Sequence, residues 1–168
     1  MENLLTNTAD VRKARKIKLF KEPMLQEIDA HTSKYVEAAE LNIKQGNAIS
    51  SDSEENLDGS IMSRLMGYRD AKLRKSLNPF LGEKTVSEAD NLTSNEPAYT
   101  YELKLPPDFN DARLQAITEL MHRYIVWGSL SDWFAQMNLK EANIYNTDDI
   151  SEQINSLLYY QQIPKVTV

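Results

Sequence analysis

The sequence predicts a mainly α-helical protein: a helical bundle with a C-terminal antiparallel helix hairpin, one or two short strands and long loops. Three observations carry that expectation. Apolar residues recur at spacings of three and four over most of the chain, the period of a half-buried helix. One segment, Ala98 to Leu105, alternates apolar and polar at a period of two, the pattern of a strand. Two stretches rich in Ser, Asn and acidic residues, 46–58 and 82–97, separate the periodic segments as loops. At 168 residues the chain has the length of one domain, or one domain and a tail. Residues 1–97 read as charged helices and extended loops, an assembly arm region. Residues 98–168 read as a strand plus helical-hairpin core, and the two parts as one structural domain.

Taken in order, Thr8 to Lys21 reads as a short amphipathic helix, with Val11, Ala14 and Ile17 at i+3 and Thr8 as its N-cap. Pro23 suits the first turn of a new helix, because its missing N–H is unneeded there, or a kink in a longer one. From Met24 to Ile43, Leu25, Ile28, Thr32, Tyr35, Val36, Ala39 and Ile43 share one face, and Gly46 is placed to end the helix. A third helix is expected from about Ser60 to Leu77, on the stripe Ile61, Leu65, Arg69, Leu73 and Leu77. Asn78-Pro79 stops it, since the residue before a proline disfavours helix. The strand 98–105 turns Tyr99, Tyr101, Leu103 and Leu105 to one side, and Pro106-Pro107 ends it. A lone strand cannot satisfy its backbone groups, so it requires a partner. Lys84 to Glu88 and Lys165 to Val168 are the internal candidates, and a neighbouring subunit is the alternative.

The strongest helical segment begins at Asp108 or Asn110 and runs to about Met137. Its stripe is Leu114, Ile117, Met121, Tyr124, Trp127, Leu130, Phe134 and Met137, widened by Ala116, Leu120, Ile125 and Trp133. Gly128 in its middle costs about 1 kcal/mol against alanine, so it is expected to let another helix or an aromatic approach closely. Asn138 and Glu141 form a capping box for a final helix carrying Leu139, Ala142, Tyr145, Ile150, Ile154, Leu157 and Leu158. Asn146 to Asp149 is placed to bend that helix, and Pro164 to end it. The candidate core is therefore Leu114, Ile117, Met121, Tyr124, Trp127, Leu130, Trp133, Phe134, Ile154 and Leu157.

Composition excludes much chemistry. The absence of cysteine removes disulfides, thiol catalysis and cysteine-ligated metal sites. Five glycines leave little material for a phosphate-cradling loop, and no Walker loop, dinucleotide fingerprint, nucleophile elbow or H-E-x-x-H occurs. Of the two histidines, His31 has Glu27 at i−4 and His122 has Glu119 at i−3; a metal at His122 would need a third ligand from elsewhere. No catalytic, cofactor or metal site is expected, and the N-terminus lacks the basic start and apolar run of a signal peptide. No stretch is apolar enough to predict a membrane span.

The net charge of −6 is laid out in blocks. Residues 10–21 carry six cations (Arg12, Lys13, Arg15, Lys16, Lys18, Lys21) against Asp10. Residues 22–60 carry nine anions against Lys34 and Lys44, and residues 61–81 carry five cations against Asp70. Such alternation is either a set of solvated helix faces or a device by which a basic face meets the acidic face of an identical neighbour. The candidate interface residues are Arg12, Lys13, Arg15, Lys16, Tyr99, Tyr101, Tyr159 and Tyr160. The adjacent Tyr159 and Tyr160 face two directions, so at least one is expected to meet a partner.

From Tyr101 to Pro164 the chain runs strand, Leu-Pro-Pro, a helix with M-H-R-Y-I-V-W-G-S-L-S-D-W-F (Met121 to Phe134), a turn led by Asn138, and a last helix ending L-L-Y-Y-Q-Q-I-P-K. This resembles small proteins encoded among the head and tail genes of tailed bacteriophages, whose pattern is Y-x-V-x-x-x-L-x-D-W-F followed by L-Y-Y-x-x-x-P. The matching residues are Tyr124, Val126, Leu130, Asp132, Trp133, Phe134, Leu158, Tyr159, Tyr160 and Pro164. The resemblance to head–tail connector (adaptor, neck) subunits implies a structural, non-enzymatic virion protein made in the host bacterial cytoplasm. It implies a homo-oligomeric ring of about twelve copies, contacting portal protein and the tail or a second neck protein, with passive contact to DNA in a channel. A tail-completion or other head-proximal protein is the alternative reading. Another class is a small helical nucleic-acid-binding regulatory protein acting through Arg12 to Lys21.

Overall fold

The computed structural model describes residues 12–42 (side chains through 35), 61–81, 96–137 and 140–159. Strand β1 (Lys13–Phe20) passes directly into helix α1 (Lys21–Asn42). Helix α2 (Ile61–Ser76) ends in a 3-10 turn (Asn78–Phe80). Strand β2 (Ala98–Leu105) precedes helix α3 (Asp111–Gln136), a 3-10 segment (Lys140–Tyr145) and helix α4 (Asp148–Tyr159). The described chain is mainly α with one two-stranded antiparallel sheet.

The first element corrects the sequence expectation. Residues 13–20 form a strand, not part of a helix over 8–21. Ile17 and Leu19 are buried at a period of two, while Lys16, Lys18 and Phe20 face outward between them. Thr8 and Val11 lie outside the described residues. The strand forms because β2 supplies its missing partner: Ile17 stands opposite Tyr101, Leu19 opposite Tyr99, and Lys13 opposite Leu105. β2 is thus paired within the chain by β1. The proposed partners 84–88 and 165–168 lie outside the described residues. Leu81 adds an isolated antiparallel bridge to Leu103. The Lys21 amide donates to the Pro97 carbonyl at 3.0 Å, fixing the start of α1 against the start of β2.

Helix α1 buries Met24, Ile28 and Thr32, each one turn apart, with Leu25 and Tyr35 packed at the edge. Thr32 donates its hydroxyl to the Ile28 carbonyl at 3.0 Å, so a polar side chain is buried without an orphaned donor. Val36 onward, including Ala39, Ile43 and Gly46, falls beyond the described side chains. Helix α2 buries Met62, Leu65, Met66 and Leu73, with Leu77 after its end; Ile61, expected on this stripe, is 45% exposed.

Helix α3 is the centre of the fold. The other helices, β1 and the segment 140–145 all pack against it. Asn110 is its N-cap, accepting from the Ala112 amide at 2.9 Å. Ile117, Met121, Tyr124, Leu130, Trp133 and Phe134 are buried, as is Ile154 of α4. Leu114, Trp127 and Leu157 sit half-buried at the rim of the same cluster, and Met137 is exposed.

The last helix begins later than expected. The capping Asn138 lies outside the described residues, residues 140–145 form a 3-10 segment, and α4 starts at Asp148. Asn146 causes the break: its side-chain oxygen accepts from the Asp148 amide at 2.9 Å, a local bond that competes with continued helix. α4 then lays Ile150, Ile154 and Leu158 on α3. One cluster joins both parts of the chain, because Ile17, Leu19, Met24, Ile28, Met66 and Leu73 pack with Tyr101, Met121 and Phe134. β1, α1 and α2 therefore contribute to the core and are not only an arm.

Candidate functional site

Three polar clusters lie inside or against this core. In the first, Asp70 and Arg74 sit one turn apart on α2, with Arg74 Nε donating to both Asp70 oxygens at 2.9 and 3.2 Å. Tyr101 donates its hydroxyl to Asp70, and the Arg74 guanidinium lies 4.2 Å from the Tyr101 ring centroid. Asp70, Arg74 and Tyr101 are 6%, 5% and 0% exposed, so the cluster is closed to any substrate and ties α2 to β2. Burial and the Asp70 charge push the Tyr101 hydroxyl well above the usual tyrosine range, and the same causes raise Tyr99. Tyr101 was a candidate interface residue on sequence. It is instead wholly internal, because the apolar side of β2 faces the chain's own core. Tyr99 is half-buried under the Lys21 ammonium, 4.8 Å from its ring centroid.

In the second cluster Arg69 forms a bidentate pair with Asp132, at 2.8 Å and 2.6 Å, and donates to the Thr147 hydroxyl at 3.3 Å. Gly128 makes the path. A Cβ there would stand 2.6 Å from Nε and 2.8 Å from Cγ of Arg69. What Gly128 admits is therefore the side chain of Arg69 from α2, not an aromatic. Asp132 holds it so firmly that the Arg69 pKa is raised despite the opposing effect of burial.

In the third, His122 Nε2 lies 2.8 Å from Glu27 Oε2, at an open cleft of about 380 Å³ lined also by Lys18, Phe20, Thr118, Glu119 and Arg123. The sequence paired Glu27 with His31; the fold gives Glu27 to His122, because α1 crosses α3. His31 instead meets Tyr145, whose hydroxyl is 3.3 Å from Nδ1. The imidazole–carboxylate pair lacks an activated hydroxyl in this cleft, since Thr118 donates to the Leu114 carbonyl at 2.8 Å. Among the described residues no three His, Asp or Glu side chains gather as metal ligands.

The remaining features are surfaces. On β1, Lys13 and Lys16 are exposed and Arg15 is half-buried, 3.7 Å from the Asp111 carboxylate. Arg12 is exposed just before the strand. The outward side of the sheet carries Lys16, Lys18 and Lys104, with Glu102 opposite Lys16. Tyr159 is 44% exposed at the end of α4, with its ring edge-on to Phe80; Tyr160 lies outside the described residues.

Sequence reading missed two further faces. Arg64, Tyr68, Lys72 and Lys75 form an exposed stripe on α2, with Tyr68 57% exposed. On α4, Asp149, Glu152, Gln153, Ser156 and Leu157 line a shallow groove of about 500 Å³. The basic block 61–81 was visible, but only the helical phase separates its paired cations from its solvent-facing ones.

Comparison of the chain with protein-family models, with curated proteins and with solved structures gave no match. Among the described residues no helix is long and apolar enough to cross a membrane.

Proposed function

We propose that this protein is a structural subunit of a tailed bacteriophage, a head–tail connector that assembles as a homo-oligomeric ring between portal and tail. One observation carries the reading. Of the described residues that match the connector pattern, Tyr124, Val126, Leu130, Trp133, Phe134 and Leu158 are buried in one cluster, Asp132 is the anchor of Arg69, and Tyr159 is 44% exposed at the end of α4. That these residues share one core supports the reading. The surface fits the same reading. Opposite charges stand on different elements, basic on β1 and α2 and acidic on α4, as repeated contacts between identical copies require. The basic outer side of the sheet suits passive contact with DNA in a channel, and the virion neck is the expected location.

The test is electron microscopy of the purified protein mixed with its cognate portal. A closed ring on the tail-proximal end of the portal is the expected image. A protein that stays monomeric at high concentration and leaves portal undecorated overturns the reading. Binding to the tail tube in place of portal would instead identify a tail-completion protein.

A further inference from the structure

The α2 stripe and the α4 groove have complementary charge and matching axial spacing. Arg64, Lys72 and Lys75 are exposed and form no side-chain hydrogen bond or ion pair among the described residues; the same holds for Asp149 and Glu152. Each face therefore keeps its charge for a partner. Tyr68 stands among the α2 cations, and an exposed tyrosine supplies a large contact area at low entropic cost. Leu157 is the half-buried apolar floor of the α4 groove.

We propose that α2 of one copy docks antiparallel into the α4 groove of a second copy, with Tyr68 on Leu157, Lys72 on Glu152 and Lys75 on Asp149. The proposal rests on the ring reading and names the contact that builds the ring. The spacing selects the direction. At about 1.5 Å of rise per residue, Lys72 and Lys75 lie about 6 and 10.5 Å along the helix from Tyr68. Glu152 and Asp149 lie about 7.5 and 12 Å from Leu157 on the same rule. Along the axes both pairs agree to about 1.5 Å; Glu152 lies about 140° round α4 from Leu157, on the far rim of the groove, so the Lys72 stem has to span the groove's width. In the parallel direction Arg64 would meet Glu152, but Ile61 would fall against Asp149 and leave it unpaired. Nucleic acid is the rival occupant of a basic stripe with an aromatic in it. A second copy is favoured because the matching acidic groove is on this same chain, and a polyanion has no use for it.

The experiment is a charge swap in the full chain, read by sedimentation velocity at high protein concentration. Lys72→Glu with Lys75→Glu makes one variant, and Asp149→Lys with Glu152→Lys makes the other. Both sites are solvent-exposed, and circular dichroism checks that each variant keeps its helix content. Each alone is expected to fall to the mass of one chain, with association weakened at least about tenfold. An equimolar mixture is expected to regain the wild-type assembly, because alternating copies pair the two intact faces at one contact and the two reversed faces at the next. Variants that assemble like the wild type, or a mixture that stays monomeric, overturn this contact and leave the ring reading standing. A reciprocal dimer that the swap breaks and restores supports the contact and overturns the ring. A wild type that never associates overturns both. Loss of retention on DNA, without a change in assembly, assigns the stripe to nucleic acid instead. Tyr68→Cys with Leu157→Cys in this cysteine-free chain is a second measurement. Oxidation is expected to link separate chains, and unlinked chains count against the register.

Discussion

At the residue scale the most informative position is Gly128, where two opposing effects can be separated. Alanine gains about 1 kcal/mol of helix propensity over glycine in the middle of α3. The added Cβ, however, would meet the Arg69 stem, at 2.6 Å from Nε and 2.8 Å from Cγ. Displacing that stem breaks a bidentate pair whose side chains are only 11% and 32% exposed. Overpacking of this kind costs about 1–3 kcal/mol, more than the propensity gain. Gly128→Ala is therefore expected to destabilise the wild type by up to about 2 kcal/mol net. In an Arg69→Ala background the obstruction is gone, and the same change is expected to stabilise by about 1 kcal/mol. Urea unfolding of the four proteins in this cycle checks it, and equal signs in both backgrounds would show that Arg69 does not occupy the glycine's space. Part of this was legible: a glycine inside a strong helical pattern implied a close approach, by another helix or an aromatic. The neighbour's identity was hidden because Arg69 and Asp132 are 63 residues apart. Arg69 on an otherwise apolar stripe was the available hint, since a cation there needs a partner.

At the element scale the main difference between sequence and structure is β1. Residues 11, 14 and 17 offered a helical i+3 row, while Ile17 and Leu19 offered only two positions of strand alternation. Local pattern favoured the helix, and pairing with β2 decided for the strand. Such a pairing joins segments some eighty residues apart, so no local window holds it. By contrast α2, β2 and α3 were legible, because each has its own period and its own stop or cap in a short stretch. Leu19 distinguishes the two conformations of β1. In a helix it would stand about 200° round from Ile17 and face solvent. In the strand both are buried, at 2% and 3% exposure. Leu19→Ala is expected to cost about 2–5 kcal/mol, as for a buried leucine elsewhere. Lys18→Ala, one residue away and exposed, is expected to stay within about 0.5 kcal/mol. Equal, small effects at both positions would restore the helix.

At the scale of the whole molecule, β1, α1 and α2 share one cluster with α3 and α4, so the described core should melt as a unit. The buried Asp70–Arg74–Tyr101 network makes that unit sensitive to alkali, and the sign follows from linkage. Tyr101 ionises with difficulty in the fold, where burial and the neighbouring Asp70 hold its pKa well above the ordinary value of about 10. In the unfolded chain it ionises normally. Above pH of about 10 the unfolded state therefore binds fewer protons than the native state, and stability falls as pH rises. Its contribution is fully present below that pH and is lost as the pH climbs toward the native pKa. The slope is up to about 1.4 kcal/mol per pH unit for each such tyrosine, and Tyr99 adds in the same direction. The urea midpoint is thus expected to be flat from neutral pH to about 10 and to drop beyond it. Both tryptophans lie on α3, so their fluorescence reports the central helix, while far-ultraviolet circular dichroism reports all helices. The two probes are expected to give one midpoint at each pH. Tyr101→Phe should lose about 1–3 kcal/mol at neutral pH, since Asp70 keeps its burial but loses a donor. It should also flatten the alkaline fall. A fluorescence transition that separates from the dichroism would mean that α3 and α4 form a unit of their own. An unchanged alkaline slope in Tyr101→Phe would place the titrating group elsewhere.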